Sequence, residues 1–410
     1  MKILIIAHKL PYPPRGGATL RNYNLLKECS RENEIHLLTF TQEPYLRDPL
    51  QRAKSIEGLK KYCKTVKVFD IPTDKSRLAW IFLLFFNIFT STPYSCWRFY
   101  SRKMKNAIKE SLLKNRFDLI EIGTVSLLKY ARLAPDLPKL LIHHNIESQL
   151  LYRRSNTADN LFVRLYLKLQ AHKLKRLEKW ASVHIDHHTT VSDLDKETIT
   201  EYCPNIKATT IENGVDTDFF VPETSSEEEN SLVYAGSMEW YPNRDAMLYF
   251  INKIWPILKH KLADIKMNLI GANPPSELID FSKREPNFRL HGFVDDVRPY
   301  VHNSAVYIVP ITVGGGTRLK IVDAMAMGKA IVSTSIGCEG IKVKHGENII
   351  IADNPGDFAT SIIELLADRE LRLRLGQSAR ETAIMNYSWK LIAPKLNNIY
   401  KELAGTNLRQ

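Results

Sequence analysis

At 410 residues the chain is longer than one hydrophobic core usually serves, so two domains of about 200 residues each are expected. Hydrophobic residues at 44% and charged residues at 25% are those of a globular chain and exclude a long disordered or low-complexity segment. The net charge of +12 is lopsided: residues 1–210 hold 35 Lys+Arg against 20 Asp+Glu, and the remainder is slightly acidic.

The first predicted strand, residues 2–7, is an apolar run too short for the core of a secretory signal. The loop after it carries Arg15, Gly16 and Gly17 ahead of a helix predicted over 20–29. Glycine N–H groups there can approach an anionic ligand, although a Gly-Gly before a helix also serves as a plain tight turn. Arg15 and Arg21 in this stretch are candidates for contact with an acceptor. The spacing Gly-x-Gly-x-x-Gly is absent, which argues against a nicotinamide dehydrogenase. Further short apolar runs at 35–40, 65–69, 119–122, 140–143 and 187–191 alternate with helical patterns, so a parallel sheet covered by helices is expected.

Residues 78–89 are almost wholly apolar. As a helix they extend about 18 Å against a hydrocarbon core of roughly 30 Å, too short to span a bilayer but able to dip into one. Basic residues concentrate in two helical stretches, 98–116 and 153–179. Beside the aromatic segment this pattern suggests peripheral contact with anionic head groups at the inner face of the plasma membrane. A solvated basic face plus a buried aromatic helix is the other reading. Nucleic acid is not expected as a partner, because no zinc, ribonucleoprotein or helix-turn-helix signature accompanies the charge. Five cysteines, Cys29, Cys63, Cys96, Cys203 and Cys338, are odd in number and scattered, and read as reduced core residues of a cytoplasmic protein.

The run from Leu140 to Ser148 places His143 and His144 at the end of a buried strand, where catalytic groups collect in such sheets. His144 is the stronger candidate to hydrogen-bond a sugar hydroxyl, and Glu147 to orient the acceptor or act as base. His184, His187 and His188 crowd together, but their spacing fits a strand edge better than a zinc cage. Asp216 and Asp218 have the letters of a metal pair, yet follow an Asn213-Gly214 turn. No metal and no cofactor is expected.

After the acidic, polar segment 223–230 the strand–helix alternation restarts, with strands at 232–235, 265–270, 288–291, 305–309, 330–333 and 348–351. A hinge near 211–230 is therefore predicted, giving a domain over 1–210, a second over 211–385 and a final helical segment 386–410 that crosses back. The architecture is α/β, two Rossmann-like doubly wound domains facing across a cleft. The strand at 305–309 runs into Gly314, Gly315 and Gly316, and a helix is predicted from near Thr317 to a C-cap at Gly328. Bare glycine N–H groups, a helix N-terminus, Arg318 and Lys320 form a site for a diphosphate. Asp323 follows within two turns, where a carboxylate can accept from the hydroxyls of a ribose.

Several blocks occur in order: Gly16-Gly17, His144-Asn145, Thr190-Val191-Ser192, Asn213-Gly214-Val215-Asp216, Gly236-Ser237, His291-Gly292-Phe293-Val294, and the glycine run through Gly328. Together they resemble the retaining, nucleotide-sugar-dependent glycosyltransferases of family four, with their GT-B fold. The segment around Pro11 to Arg21, and Trp240-Tyr-Pro-Asn243, resemble the bacterial exopolysaccharide or lipid-linked glycan type. The resemblance implies that Gly316, Thr317, Arg318, Leu319 and Lys320 hold the diphosphate, Asp323 the ribose, and the backbone at Phe293 and Val294 the base. It implies that Gly17 approaches the diphosphate from the first domain and that His144 meets the donor sugar. The reaction implied is transfer from a nucleotide-sugar donor to a glycan or lipid-linked hydroxyl with retention. A sugar-nucleotide epimerase and a non-catalytic nucleotide-binding subunit are the rival readings. Family members often carry two glutamates eight residues apart, whereas here Asp323 and Gly315 take those places. Many carry a basic residue where this chain has Ser237 and Met238, so Arg318 or Arg244 would have to compensate.

Overall fold

A computed structural model describes residues 1–14, 17–42, 46, 48–223, 227–314 and 318–407. The chain divides into two units, Met1–Glu212 with Ile392–Gln410, and Asn213–Leu391.

The first unit is built on seven parallel strands: β1 (Lys2–Ala7), β2 (Glu34–Thr41), β3 (Thr65–Asp70), β4 (Leu119–Ile122), β5 (Lys139–Ile142), β6 (His187–Thr190) and β7 (Ala208–Thr210). Their order is β3-β2-β1-β4-β5-β6-β7, with Ile5 opposite Leu37 on one side and Glu121 on the other. Helices cover both faces, so residues 3–7 are all buried, and this is why the strand reads as an unbroken apolar run. Leu4, Ile6, Leu38, Phe40, Ile120 and Ile122 join the core on one face. All five cysteines are buried and free. The Ala-Thr-Thr of β7 has no apolar pattern to announce it. Its edge is held by pairing to β6 and by a 2.9 Å bond between His187 Nε2 and Thr209 Oγ1.

The second unit carries six parallel strands: β8 (Glu228–Ala235), β9 (Lys266–Ile270), β10 (Phe288–Gly292), β11 (Ser304–Val309), β12 (Ala330–Ser333) and β13 (Ile350–Ile351), ordered β10-β9-β8-β11-β12-β13. Alternation along β8 sends Leu232 and Tyr234 into the core on one face and Val233 into the core on the other. The segment expected to be a polar linker up to residue 230 is shorter, because β8 reaches back to Glu228. That carboxylate pairs with Lys266 on β9 at 3.2 Å and Arg289 on β10 at 2.8 Å, which fixes the strand start. In each sheet the order reverses once, between β1 and β4 and between β8 and β11. Crossovers leave to opposite faces there and open a crevice at the carboxyl ends.

The Trp389–Asn407 helix begins in the second unit and runs on into the first, with Pro394 inside it. In the first unit Asn33 Nδ2 donates to Asn397 Oδ1 at 2.9 Å, and the hydroxyl of Tyr400 donates to Glu121. No helix among the described residues is long and apolar enough to cross a membrane.

Candidate functional site

In the second unit β11 ends at the switch point, and the chain beyond it turns sharply. Gly314 has φ +136°, which L side chains rarely adopt, and a Cβ there would lie 2.7 Å from Arg318 Nη2. Gly315, Gly316 and Thr317 lie outside the described residues. The helix starts at Leu319, two residues later than the pattern near Thr317 suggests, with Arg318 as its N-cap. Arg318 gives no side-chain cap and its carbonyl accepts from Ile321 N at 2.9 Å, so the positive end of the helix lies at Leu319 and Lys320. At the other end Gly328 has φ +69°, and Lys329 N donates to Ala324 O at 3.1 Å, closing a Schellman turn.

Lys320, in the first turn, reaches back over β8. Its Nζ donates to the Tyr234 hydroxyl and to Asn243 Oδ1, both at 2.7 Å, and Tyr234 itself donates to Asn243 Oδ1 at 2.8 Å. A Cβ at Gly236 would collide with Lys320 Nζ, so the turn after β8 needs glycine for this lysine to lie where it does. Burial, then the charge of Arg318, hold the Lys320 amine well below the ordinary lysine range. An incoming diphosphate would supply the missing countercharge. One turn further on, burial pushes the Asp323 carboxyl up to about 8, and its Oδ1 is enclosed with no hydrogen-bond partner among the described residues. A neutral carboxyl has both an O–H donor and an acceptor, which suits a vicinal diol. Phe293, just past β10, is exposed, while Val294 packs against the core. Arg244 pairs with Asp245 at 2.9 Å.

In the first unit His144 follows β5 by two residues. Its ring meets that of His8, which follows β1 directly, edge-on at 5.5 Å, and its Nε2 is enclosed without a hydrogen-bond partner among the described residues. Burial first, then His8, Arg21 and His143, keep His144 neutral well below its ordinary range, and burial lowers His8 to about 4. Such an imidazole is a neutral hydrogen-bonding group rather than a cation. His143 is a core residue, stacked on His188 with 3.1 Å between Nε2 and Nδ1. Glu147 opens the Glu147–Asn156 helix. Burial, then the charge of Glu178, raise its carboxyl to about 7. Glu178 accepts from Ser148 N at 3.2 Å and from the Tyr202 hydroxyl at 2.6 Å.

Gly17 is exposed at the first position of the Gly17–Cys29 helix, while Arg15 and Gly16 lie outside the described residues. Arg21, expected on the acceptor side, is 1% exposed and donates from Nη1 to the carbonyl of Glu212 at 2.7 Å, its place on the helix turning it into the unit. His184 stacks on Trp180 at 4.1 Å, and among the described residues no group of three or more His, Cys, Asp or Glu gathers as a metal would require. Sequence reasoning missed His8, Tyr234 and Asn243. His8 had the same signal as His144, a histidine at a strand's carboxyl end. Tyr234 looks like any core aromatic of a strand.

Residues 15–219 match the family model described as Glycosyltransferase Family 4, and residues 229–368 the model described as Glycosyl transferases group 1. An uncharacterized 44.6 kDa protein in the cps region of Klebsiella pneumoniae is 23% identical over 416 residues, spanning 98% of this chain and 99% of that one. Sucrose-phosphate synthase from Thermosynechococcus elongatus superposes with a TM-score of 0.72 at 15% identity, over 99% of this chain and 100% of the other. Anabaena HepE in complex with UDP-glucose superposes with a TM-score of 0.64 at 15% identity, over 98% and 100%. The likeness to the solved structures carries the fold, two parallel-sheet α/β units of the GT-B type. With one model matching half its length and the second falling on the unit that holds Lys320 and Asp323, the chain belongs to glycosyltransferase family 4.

Proposed function

We propose that this glycosyltransferase moves a sugar from a nucleoside-diphosphate donor to a hydroxyl of a glycan or lipid-linked acceptor, with retention at the anomeric carbon and without a metal ion. The observation that carries the reading is the placing of Lys320 and Asp323 one helical turn apart at the β8/β11 switch point, a desolvated amine and a neutral carboxyl. Support for the donor class comes from the UDP-glucose held by the Anabaena neighbour, and for polysaccharide assembly from the cps-region relative.

In the reaction the bond from the anomeric carbon to the diphosphate oxygen breaks and its electron pair stays on that oxygen. Arg318, Lys320 and the helix N-terminus neutralise this charge. The sugar passes through an oxocarbenium-like state, and the acceptor hydroxyl attacks from the face the diphosphate leaves. Its proton goes to the departing phosphate oxygen. Neutral His144 hydrogen-bonds a hydroxyl of the donor sugar, and Glu147 orients the acceptor. In the second unit the backbone N–H of Leu319, at the start of the helix, adds to the diphosphate site. Phe293 and Val294 border the base.

A thermal-shift screen of nucleotide sugars, followed by NMR of the product from the hit, tests the reading. A donor that raises the melting temperature and yields a product of unchanged anomeric configuration is the expected result. An inverted product would overturn retention, and conversion of donor with no acceptor present would point to epimerisation instead.

A further inference from the structure

The Arg77–Asn87 helix is apolar almost all round, with Trp80, Leu83 and Leu84 half-buried, and it leaves a second apolar face bare. Its inward side carries the polar Asn87, 1% exposed, which accepts from Gln170 Nε2 at 2.7 Å through Oδ1 and from Lys173 Nζ at 2.6 Å through its carbonyl. Its outward side carries Leu78, Phe82 and Phe85, continued by Phe89 just past the end, at 77%, 65%, 58% and 76% exposure. The spacing i, i+4, i+7, i+11 makes these one stripe. Tyr94 ties the stripe to a second element: its ring meets Trp80 at 5.7 Å and Tyr166 of the Leu161–His184 helix at 6.5 Å. The first turns of that helix expose Phe162 and Leu165, at 81% and 56%. A patch of this kind on a soluble chain marks an interaction site.

Charge selects the partner. Residues 78–89 hold no charged side chain, whereas residues 147–184 hold eight Lys+Arg against three Asp+Glu. Arg153 and Arg154 close the Glu147–Asn156 helix, and Arg164, which donates to Ala158 O at 2.9 Å, and Lys168 follow the exposed Phe162. A second copy of the same face would set these cations against one another. A layer of anionic head groups complements them. The helix is about 16 Å long, so it can lie in an interface and cannot span it.

We propose that this face docks in the plane of an anionic lipid bilayer, with the phenylalanines among the acyl chains and Arg153, Arg154, Arg164 and Lys168 at the head-group phosphates. Lipid docking needs no donor and no turnover, so it stands or falls apart from the transfer reaction.

Flotation of the full chain with phosphatidylglycerol/phosphatidylcholine vesicles, and with phosphatidylcholine vesicles alone, tests this. The wild type is expected to float with the anionic vesicles and to come off as salt rises. Phe82→Ser/Phe85→Ser/Phe89→Ser is expected to lower the partition coefficient at least about tenfold with the melting temperature kept. Arg154→Glu/Lys168→Glu is expected to abolish the preference for the anionic vesicles. A wild type that stays in solution with both vesicles overturns the proposal, as does a triple serine variant that floats equally well. Light scattering that shows a wild-type dimer, lost in the triple variant, with no vesicle binding would assign the face to a second copy instead.

Discussion

The amine of Lys320 lies 2.7 Å from the hydroxyl of Tyr234 and 4.0 Å from the centre of the same ring. The tyrosine thus fixes the lysine from two directions, and Asn243 Oδ1 closes the triangle. A lysine held this way has little rotamer entropy left to lose when a phosphate arrives. Lys320→Met keeps the length of the side chain and leaves the Tyr234–Asn243 bond in place. Loss of a hydrogen bond to a charged group costs about 1.5–3 kcal/mol, so donor affinity by calorimetry is expected to fall about 10- to 150-fold while the melting temperature hardly moves. Unchanged affinity would remove Lys320 from the site.

The same amine makes donor binding depend on pH. In the free protein, burial and Arg318 hold its pKa well below the ordinary lysine value, and a bound diphosphate favours the charged form. Between the pKa of the free protein and that of the complex, binding takes up a proton, so affinity falls as pH rises through that window. Calorimetry in two buffers of different ionisation enthalpy counts the protons. Uptake in Asp323→Asn, where the carboxyl no longer titrates, that disappears on adding Lys320→Met is the expected pattern. A flat profile in Asp323→Asn would mean that the amine is already charged.

Asp323 links to stability rather than to binding alone. Its carboxyl titrates at about 8 in the folded chain against an ordinary 3.8. Between those values the unfolded chain has released a proton that the folded chain keeps, so stability falls as pH rises from about 4 to about 8. Each unit is worth about 1.4 kcal/mol at most, and the residue's partial accessibility reduces the total. Asp323→Asn removes this titration. Urea unfolding at pH 5 and pH 8 is expected to show the variant gaining a few kcal/mol on the wild type between the two, and an equal difference at both would refute the buried neutral carboxyl.

Strands in this protein were legible because parallel strands covered on both faces leave short, uniformly apolar runs, as residues 305–309 show. That Lys320 and Asp323 share one helix just after a glycine turn was legible because such a turn into a helix N-terminus is a local pattern. Tyr234 and Asn243 were not, since their tie to Lys320 joins residues 86 and 77 positions apart, a separation no local pattern encodes. For residues 78–89 bilayer contact and burial both stood open, because an apolar helix reads alike whether buried or bare; the anchoring of Asn87 by Gln170 and Lys173 was not legible, since it joins residues 83 and 86 positions apart.

Arg21 shows a tertiary placement overriding a sequence-level role, and it yields the sharpest stability test. Its guanidinium, lowered to about 10 by burial, feels the carboxylates of Glu121 and Glu212, and neutral Tyr400 on the Trp389–Asn407 helix donates its hydroxyl to Glu121. The arginine therefore serves the joint that holds the C-terminal helix to the first sheet. Arg21→Met leaves the Glu212 carbonyl without its donor and removes a positive charge that favours the ionised form of buried Glu121, at a cost of about 1–3 kcal/mol. Arg21→Met/Glu121→Leu removes both charges and is expected to recover much of that loss, a coupling that a double-mutant cycle by urea unfolding measures. Tyr400→Phe, which removes one hydrogen bond, is expected to cost about 1 kcal/mol. If Arg21→Met instead unfolds at the wild-type urea concentration and loses only transfer activity, Arg21 belongs with the acceptor after all.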